Sequence, residues 1–245
     1  MKVVVIGGTG LIGSTVVARL GEHGHEAVPA APSTGVDTIT GAGLKEVLEG
    51  ADVLVDVSNS PSFADDDVLA FFTTSTGNLI AAAEAAGVGH YVALSVVGAE
   101  RAGDSGYMRA KVAQEKLIRE SGLRYSLVHA TQFFEFAAGI ADSATVGGVV
   151  RLPDGGAQPV AAADVAAVVG RTSVGDPLDG TVEIAGPEVF GLDEWVRTAL
   201  AAKNDPREVV TDREARYFGE LVGERTLLPE PGALIGRISL AEWLG

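Results

Sequence analysis

At 245 residues the chain is long enough to bury a substantial core as one domain, or as one domain with a smaller appendage. Lys and Arg number 18 against 33 Asp and Glu, a formal charge of −15 that opposes contact with nucleic-acid phosphates and anionic membranes, so an anionic cofactor must be held by local amides. The absence of cysteine excludes disulfides, thiolate nucleophiles and Cys-ligated metals; His23, His25, His90 and His129 show no ligand spacing, so no metal site is expected.

Val3-Val4-Val5-Ile6 reads as a strand buried on both faces, and Gly7-Gly8-Thr9-Gly10-Leu11-Ile12-Gly13 turns it directly into a helix. The spacing fits G-x-G-x-x-G through Gly8, Gly10 and Gly13, and G-x-x-G-x-x-G through Gly7, Gly10 and Gly13. A pyrophosphate needs bare N–H groups and the positive end of a helix dipole, so Gly7, Thr9, Gly10, Leu11, Ile12 and Gly13 are the expected dinucleotide contacts. The apolar run stops at Ile6, too short for the core of a signal peptide, and nothing else approaches the ~18 apolar residues of a membrane span. A soluble cytoplasmic protein is expected.

The first helix should end at Gly24, with a second strand from His25 to Ala30. Beyond it the ribose site reads Ala31-Pro32-Ser33-Thr34-Gly35, with neither the acidic residue of an NAD site nor a nearby Arg. Ser33 and Thr34 offer hydroxyls to a 2′-phosphate and no carboxylate repels it, which favours NADP while leaving NAD possible; the same residues also suit a simple turn. Val36 to Ile39 is a short strand candidate, followed by a helix over Leu44 to Leu48 and a strand over Asp52 to Val57. That strand runs out into Ser58-Asn59-Ser60-Pro61, where Asn59 and Ser60 would meet cofactor ribose or phosphate, or form a plain loop. Asp56, among apolar residues, is given no role.

Ser62 and Asp65 have the spacing of a capping box, and Asp65-Asp66-Asp67 suits the first turn of a long helix ending near Gly87. The strand His90 to Val97 delivers Ser95, and a helix capped by Asp104 or Ser105 and closed by Gly122 carries Tyr107 and Lys111 four apart on one face. A phenol of unperturbed pKa ~10 is a poor proton source near neutrality, and a nearby ammonium stabilises the phenolate. Lysine also suits the nicotinamide ribose, and a serine hydroxyl can orient a carbonyl so that hydride and proton move together.

These stretches resemble the short-chain dehydrogenase/reductase superfamily: Gly7-Gly8-Thr9-Gly10-Leu11-Ile12-Gly13, the Ser95 strand and Tyr107-x-x-x-Lys111. Ser58-Asn59-Ser60-Pro61-Ser62-Phe63, Leu94-Ser95-Val96-Val97-Gly98 and Thr131-Gln132-Phe133-Phe134-Glu135-Phe136 look like its atypical, NmrA-like branch of NAD(P)-binding proteins. The resemblance covers nearly the whole chain. It implies a Rossmann-type, doubly wound parallel α/β sheet, with the glycines at the pyrophosphate and Ser95, Tyr107 and Lys111 as catalytic residues at a substrate carbonyl. Members of that branch include reductases of small carbonyls and quinones, isomerases, and sensors that bind dinucleotide without turnover. Some lack the tyrosine, so its presence favours an enzyme.

Arg124 to His129 is the next strand, whose exit should carry Thr131 past the nicotinamide and Phe133 and Phe134 along a substrate pocket, with core packing the competing role for each ring. His129 reads as a hydrogen-bonded core or rim histidine rather than a base. A break at Val149 to Val160 precedes a helix capped by Asp164, a strand over Thr181 to Ile184 and an amphipathic helix over Leu192 to Ala202 with Trp195 on its apolar side. The rest is loop-rich. The expected division is 1–130 as the NAD(P)-binding part and 131–245 as a smaller substrate-binding cap packed on it as one unit. The leading expectation is an NAD(P)H-dependent oxidoreductase of a small apolar or aromatic carbonyl or quinone. The alternatives are a redox-sensing dinucleotide binder that regulates a protein partner, and a nucleotide-sugar epimerase or dehydratase.

Overall fold

Alternate residues of a strand face opposite ways, so a run of four apolar residues is stable only between two covering layers. The computed structural model, which describes residues 1–245, provides both around β1 (Lys2–Ile6). Val3 and Val5 pack with Val16, Val165 and Val169 on one face, and Val4 and Ile6 with Leu54, Leu79 and Ile118 on the other.

After β1 come α1 (Leu11–Glu22), β2 (Glu26–Ala30), α2 (Leu44–Leu48), β3 (Val53–Asp56), α3 (Asp65–Ala86), β4 (His90–Val96), α4 (Gly106–Glu120) and β5 (Tyr125–Ala130). The remainder forms α5 (Ala137–Ser143), β6 (Thr145–Val146), β7 (Val149–Leu152), β8 (Gly156–Ala157), α6 (Ala162–Val174) and β9 (Gly180–Ala185). It ends with β10 (Phe190–Gly191), α7 (Leu192–Ala202), β11 (Val209–Thr211), β12 (Leu234–Ile235) and α8 (Leu240–Leu244). Seven strands make one parallel sheet in the order β12-β9-β5-β4-β3-β1-β2. This is the Rossmann-type arrangement expected. The chain winds outward from β1 to β2, then returns past β1 to β3, which opens a crevice at the carboxyl ends of β1 and β3.

Several local expectations are corrected. No strand forms over 36–39, because the Asp37 carboxylate accepts from Ile39 N at 2.8 Å and Thr40 N at 3.2 Å, and Asp37 N donates to Ala42 O at 2.9 Å. That closed turn leaves β2 as the sheet edge, where Pro29 is tolerated because no ladder bond is required of it. Helix α3 has Ala64 rather than Ser62 at its N-cap; the Ser62 hydroxyl donates to Asp67 at 2.8 Å, while the three aspartates do occupy the first turn. Helix α6 starts at Ala162, and Asp164 instead accepts from the backbone N–H groups of Arg237 at 2.8 Å and Ile238 at 3.0 Å, fastening the C-terminal segment.

The polypeptide does not change layers at residue 130. Helix α6 packs on α1, β9 pairs with β5 and β12 with β9, so the later half returns to complete the central sheet. The cap is what lies between and after these returns: the β11-β7-β6 sheet, the β10-β8 pair, α5, α7 and α8 around Phe134, Leu152, Trp195 and Leu200. No helix is long and apolar enough to cross a membrane.

Trp195 is the largest of the wholly buried side chains and anchors α7 in the cap. Trp195→Ala should lower unfolding free energy by about 3–5 kcal/mol in urea melts followed by circular dichroism; a loss under about 1 kcal/mol would contradict this packing.

Candidate functional site

The glycine turn divides into positions that the fold needs and one that it does not. Gly7 has φ +75°, and its N–H donates to Ala30 O at 2.9 Å. A Cβ at Gly8 would lie 2.6 Å from Val5 O, and one at Gly13 would lie 2.2 Å from Gly7 O, so these two let α1 close onto the β1 exit. A Cβ at Gly10 would meet only Gly7 O, at 3.3 Å, and Gly10 has an ordinary extended backbone. Beside it, the amides of Leu11, Ile12 and Gly13 donate to no backbone acceptor, and α1 has no side-chain cap. Unpaired donors, the dipole of a 12-residue helix and a bare Gly10 fit an anionic diphosphate. A Cβ at Gly7 would approach Ser58 N and Val57 O at 3.0 Å, so the Ser58–Ser60 loop forms the other wall of the crevice.

The remaining cofactor candidates differ in availability. Ser33 is exposed and makes no hydrogen bond, whereas the Thr34 hydroxyl accepts from Ala31 N at 2.9 Å and donates to Ala31 O at 3.0 Å. Asn59 is exposed, its Oδ1 accepting from Ser60 N at 3.0 Å; the buried Ser60 hydroxyl accepts from Ser62 N at 3.2 Å. Thr131 lies at the β5 exit, but it is buried and its hydroxyl is committed to donating to Gln158 O at 2.6 Å. Its neighbour Gln132, 7 % exposed, has both side-chain amide atoms unpartnered. Nothing in the sequence signals this, since an unmet amide shows only in three dimensions.

Tyr107 and Lys111 share one face of α4, whose Ser105 cap accepts from Met108 N at 3.4 Å. Both touch Phe72: the Lys111 ammonium sits 4.3 Å from its ring centroid, and Tyr107 meets it edge-on at 6.1 Å. Tyr107 is half-buried, its hydroxyl has no protein partner, and burial pushes its pKa up to about 12. Lys111 is 2 % exposed and donates to Leu94 O at 2.9 Å and to Gln114 Oε1. Burial pulls its pKa down to about 8, against the carboxylates of Asp56 and Glu115.

Ser95 does not join them. It is 3 % exposed, and its hydroxyl donates to Glu115 Oε1 at 2.5 Å, two helical turns and about 12 Å along α4 from Tyr107. The Glu115 carboxylate also holds Arg119 at 2.8 Å and has His129 Nε2 alongside at 2.9 Å; burial favours its neutral form, but His129, Ser95 and Arg119 outweigh it and bring the pKa to about 2. The Ser95 hydroxyl is thus a fixture of a buried ion cluster. The Lys111-to-Glu115 spacing is visible in the sequence; its meaning is not, because the partners come from two strands.

What covers Tyr107 comes from far along the chain. Tyr217 and Glu220 exchange backbone bonds at 2.8 and 3.0 Å around Phe218 (φ +46°) and Gly219 (φ +89°), a tight turn with both central residues left-handed. Phenylalanine is costly there. Arg216 holds the turn, donating to Gly219 O at 2.7 Å and Asp104 Oδ2 at 3.1 Å, while Asp104 N donates to Glu220 at 2.9 Å. Phe63, 52 % exposed, bridges Phe218 and Tyr107 at 5.6 Å from each ring. The expected aromatic wall is corrected in part. Phe134 is wholly buried in the cap beside Trp243, at 5.6 Å, whereas Phe133 is half-buried at the β5 exit and stacks on exposed Phe136 at 5.2 Å. No cluster of three potential metal ligands forms.

A family model described as NAD(P)H-binding matches residues 7–172. The chain is 32 % identical over 209 residues to (4-alkanoyl-5-oxo-2,5-dihydrofuran-3-yl)methyl phosphate reductase of Streptomyces griseus subsp. griseus, a match spanning 78 % of this chain and 70 % of that one. Among solved structures, MoeE5 in complex with UDP-glucose and NAD is similar at TM-score 0.75 and 17 % identity, over 100 % of this chain and 96 % of that one. The NADPH-dependent quinone oxidoreductase QOR2 of Escherichia coli, complexed with NADPH, is similar at TM-score 0.66 and 22 % identity, over 86 % and 78 %. These two share the fold.

The difference between glycines is measurable. Gly13→Ala should cost about 1–3 kcal/mol of stability by overpacking against Gly7 O. Gly21→Ala, on the open side of the same helix, should gain about 0.5–1 kcal/mol. Equal effects in thermal melts would show that the strand-to-helix approach is not the constraint.

Proposed function

The chain belongs to the NAD(P)H-binding family, and from that membership and the resemblance of its motifs to atypical, NmrA-like short-chain dehydrogenase/reductases we propose that it is an NAD(P)H-dependent reductase of a small apolar or aromatic carbonyl or quinone. The observation that carries the chemistry is Tyr107: an unpartnered phenol at the carboxyl end of the sheet, walled by Phe63, Phe72 and the 217–220 turn. When bound across Gly7–Gly13, the dinucleotide supplies the hydride. Tyr107, protonated at neutral pH, supplies the proton to the substrate oxygen. Burial raises its pKa rather than the ammonium lowering it, so Lys111, whose ammonium lies against the Phe72 ring that Tyr107 also meets, is assigned only to offset the charge left as the proton departs. Ser95 is not assigned the task of orienting the substrate; it secures Glu115.

The aromatic walls favour an apolar, planar substrate. Around them, Arg109 is paired with Asp65 at 2.7 Å, Arg216 with Asp104 at 3.1 Å and Arg101 with Glu230 at 2.6 Å. Such neutralised guanidinium groups argue against a diphosphate-bearing sugar nucleotide. For the cofactor, the free Ser33 hydroxyl and a 31–35 turn without a carboxylate support NADPH over NADH.

Absorbance at 340 nm should report NADPH oxidation with members of a panel of benzoquinones, naphthoquinones and small aldehydes. Tyr107→Phe should lower kcat by about 10²–10⁴-fold while leaving NADPH binding within a few-fold. Tight NADPH binding with no turnover on the panel, together with no loss in Tyr107→Phe for any substrate found later, would overturn the reading and leave a dinucleotide sensor.

A further inference from the structure

Asp56 ends β3 and is 1 % exposed, a position where a carboxylate persists only with its oxygens occupied. Oδ1 accepts from Ser58 N at 3.0 Å and from the Ser58 hydroxyl at 2.6 Å. Oδ2 accepts from Gln114 Nε2 at 3.0 Å, with the Tyr91 hydroxyl at 3.4 Å. Gln114, itself buried, turns its carbonyl to Lys111 and receives a hydrogen bond from the ammonium. A glutamine between an anion and a cation is stable in one sense only, N–H to the carboxylate and C=O to the ammonium. The result is an unbroken path from the Ser58 loop, against Gly7, to the ammonium on α4.

We propose that Asp56 and Gln114 are positioning residues for the reduction, holding Lys111 charged and in register with the Ser58–Ser60 loop, so that one buried carboxylate sets both the cofactor-side loop and the proton-donor helix. This rests on the part given to Lys111 above. The carboxylates acting on Lys111 are Asp56 from β3 and Glu115 from α4 itself; Gln114 accepts from its ammonium, the Phe72 ring from α3 lies against it, and the Tyr91 hydroxyl from β4 sits by Asp56 at 3.4 Å. Of the two carboxylates that sustain its charge, Asp56 acts the more strongly, and Glu115 is already engaged by Ser95 and Arg119. In Asp56→Asn the shape survives but the charge does not. The introduced amide can accept on one side only: with its carbonyl toward Gln114 its N–H groups confront Ser58 N–H, and with its carbonyl toward Ser58 they confront Gln114, and in either case the ammonium loses the stronger of its two sustaining carboxylate charges.

The test is an NMR titration of the Lys111 side chain in the cofactor-free protein, alongside the pH profile of kcat/KM with NADPH. The wild-type midpoint should lie near about 8. Asp56→Asn and Gln114→Met should each lower it by on the order of one pH unit, with the alkaline limb of kcat/KM moving in step. The pair Asp56→Asn with Gln114→Glu, in which an asparagine N–H can support a carboxylate one link closer to the ammonium, should return the midpoint to at least the wild-type value. Unchanged midpoints in the single variants, or no recovery in the pair, would overturn the proposal. Gln114→Met keeps the side-chain volume and carries the test if Asp56→Asn fails to fold. Lys111→Met separates the two levels: full turnover in it defeats the part given to Lys111, whereas lost turnover with an unmoved midpoint in Gln114→Met defeats the positioning proposal alone.

Discussion

The gap between the Gly7 carbonyl and the Gly13 α-carbon has no room for a methyl group, since a Cβ there would stand 2.2 Å from that oxygen. This closeness seats the amino end of α1 directly on the exit of β1. Four orphan N–H groups at a helix start are ordinarily satisfied by a side-chain cap or by water. Here Gly10 offers no side chain, so the donors remain available at the point where the sheet order reverses. The crevice opens beside that seat, and the Ser58 loop approaches it at Gly7.

A chain with a net charge of −15 would have to hold an anionic dinucleotide against its own field, and what the glycine turn offers for that is short-range amide donors rather than a basic surface. The same logic governs the interior. The buried carboxylates Asp56 and Glu115 lie on either side of Lys111, one satisfied by Ser58 and Gln114 and the other by Ser95 and Arg119. Neither is an orphan. Burial works against the lysine's charge, and these two carboxylates work to keep it.

What is legible in the sequence is whatever short-range pattern encodes. The glycine turn, the length and Gly87 cap of α3, the Tyr107-to-Lys111 spacing and the bounds of α7 are all properties of a few consecutive residues. Expectations fail where a side chain's partner lies elsewhere in the chain. The sequence places Ser95 on the strand before the Tyr107 helix, but does not show that its hydroxyl meets Glu115 rather than Tyr107. It likewise cannot choose between Phe133 and Phe134 for a wall, because that depends on where α8 brings Trp243. The 217–220 turn is hidden for a different reason: Phe218 in a left-handed conformation contradicts its own propensity and is held there by Arg216 and Asp104.

If bare amides at the start of α1 grip the diphosphate of the dinucleotide, hydrogen exchange resolved by NMR should register it directly. Saturating NADPH should slow exchange at the amides of Leu11, Ile12 and Gly13 by an order of magnitude or more, while the amides of the exposed Arg213 and Glu214 in the cap keep their rates. Saturable NADPH binding that left those three amides exchanging as in the free protein would contradict the account.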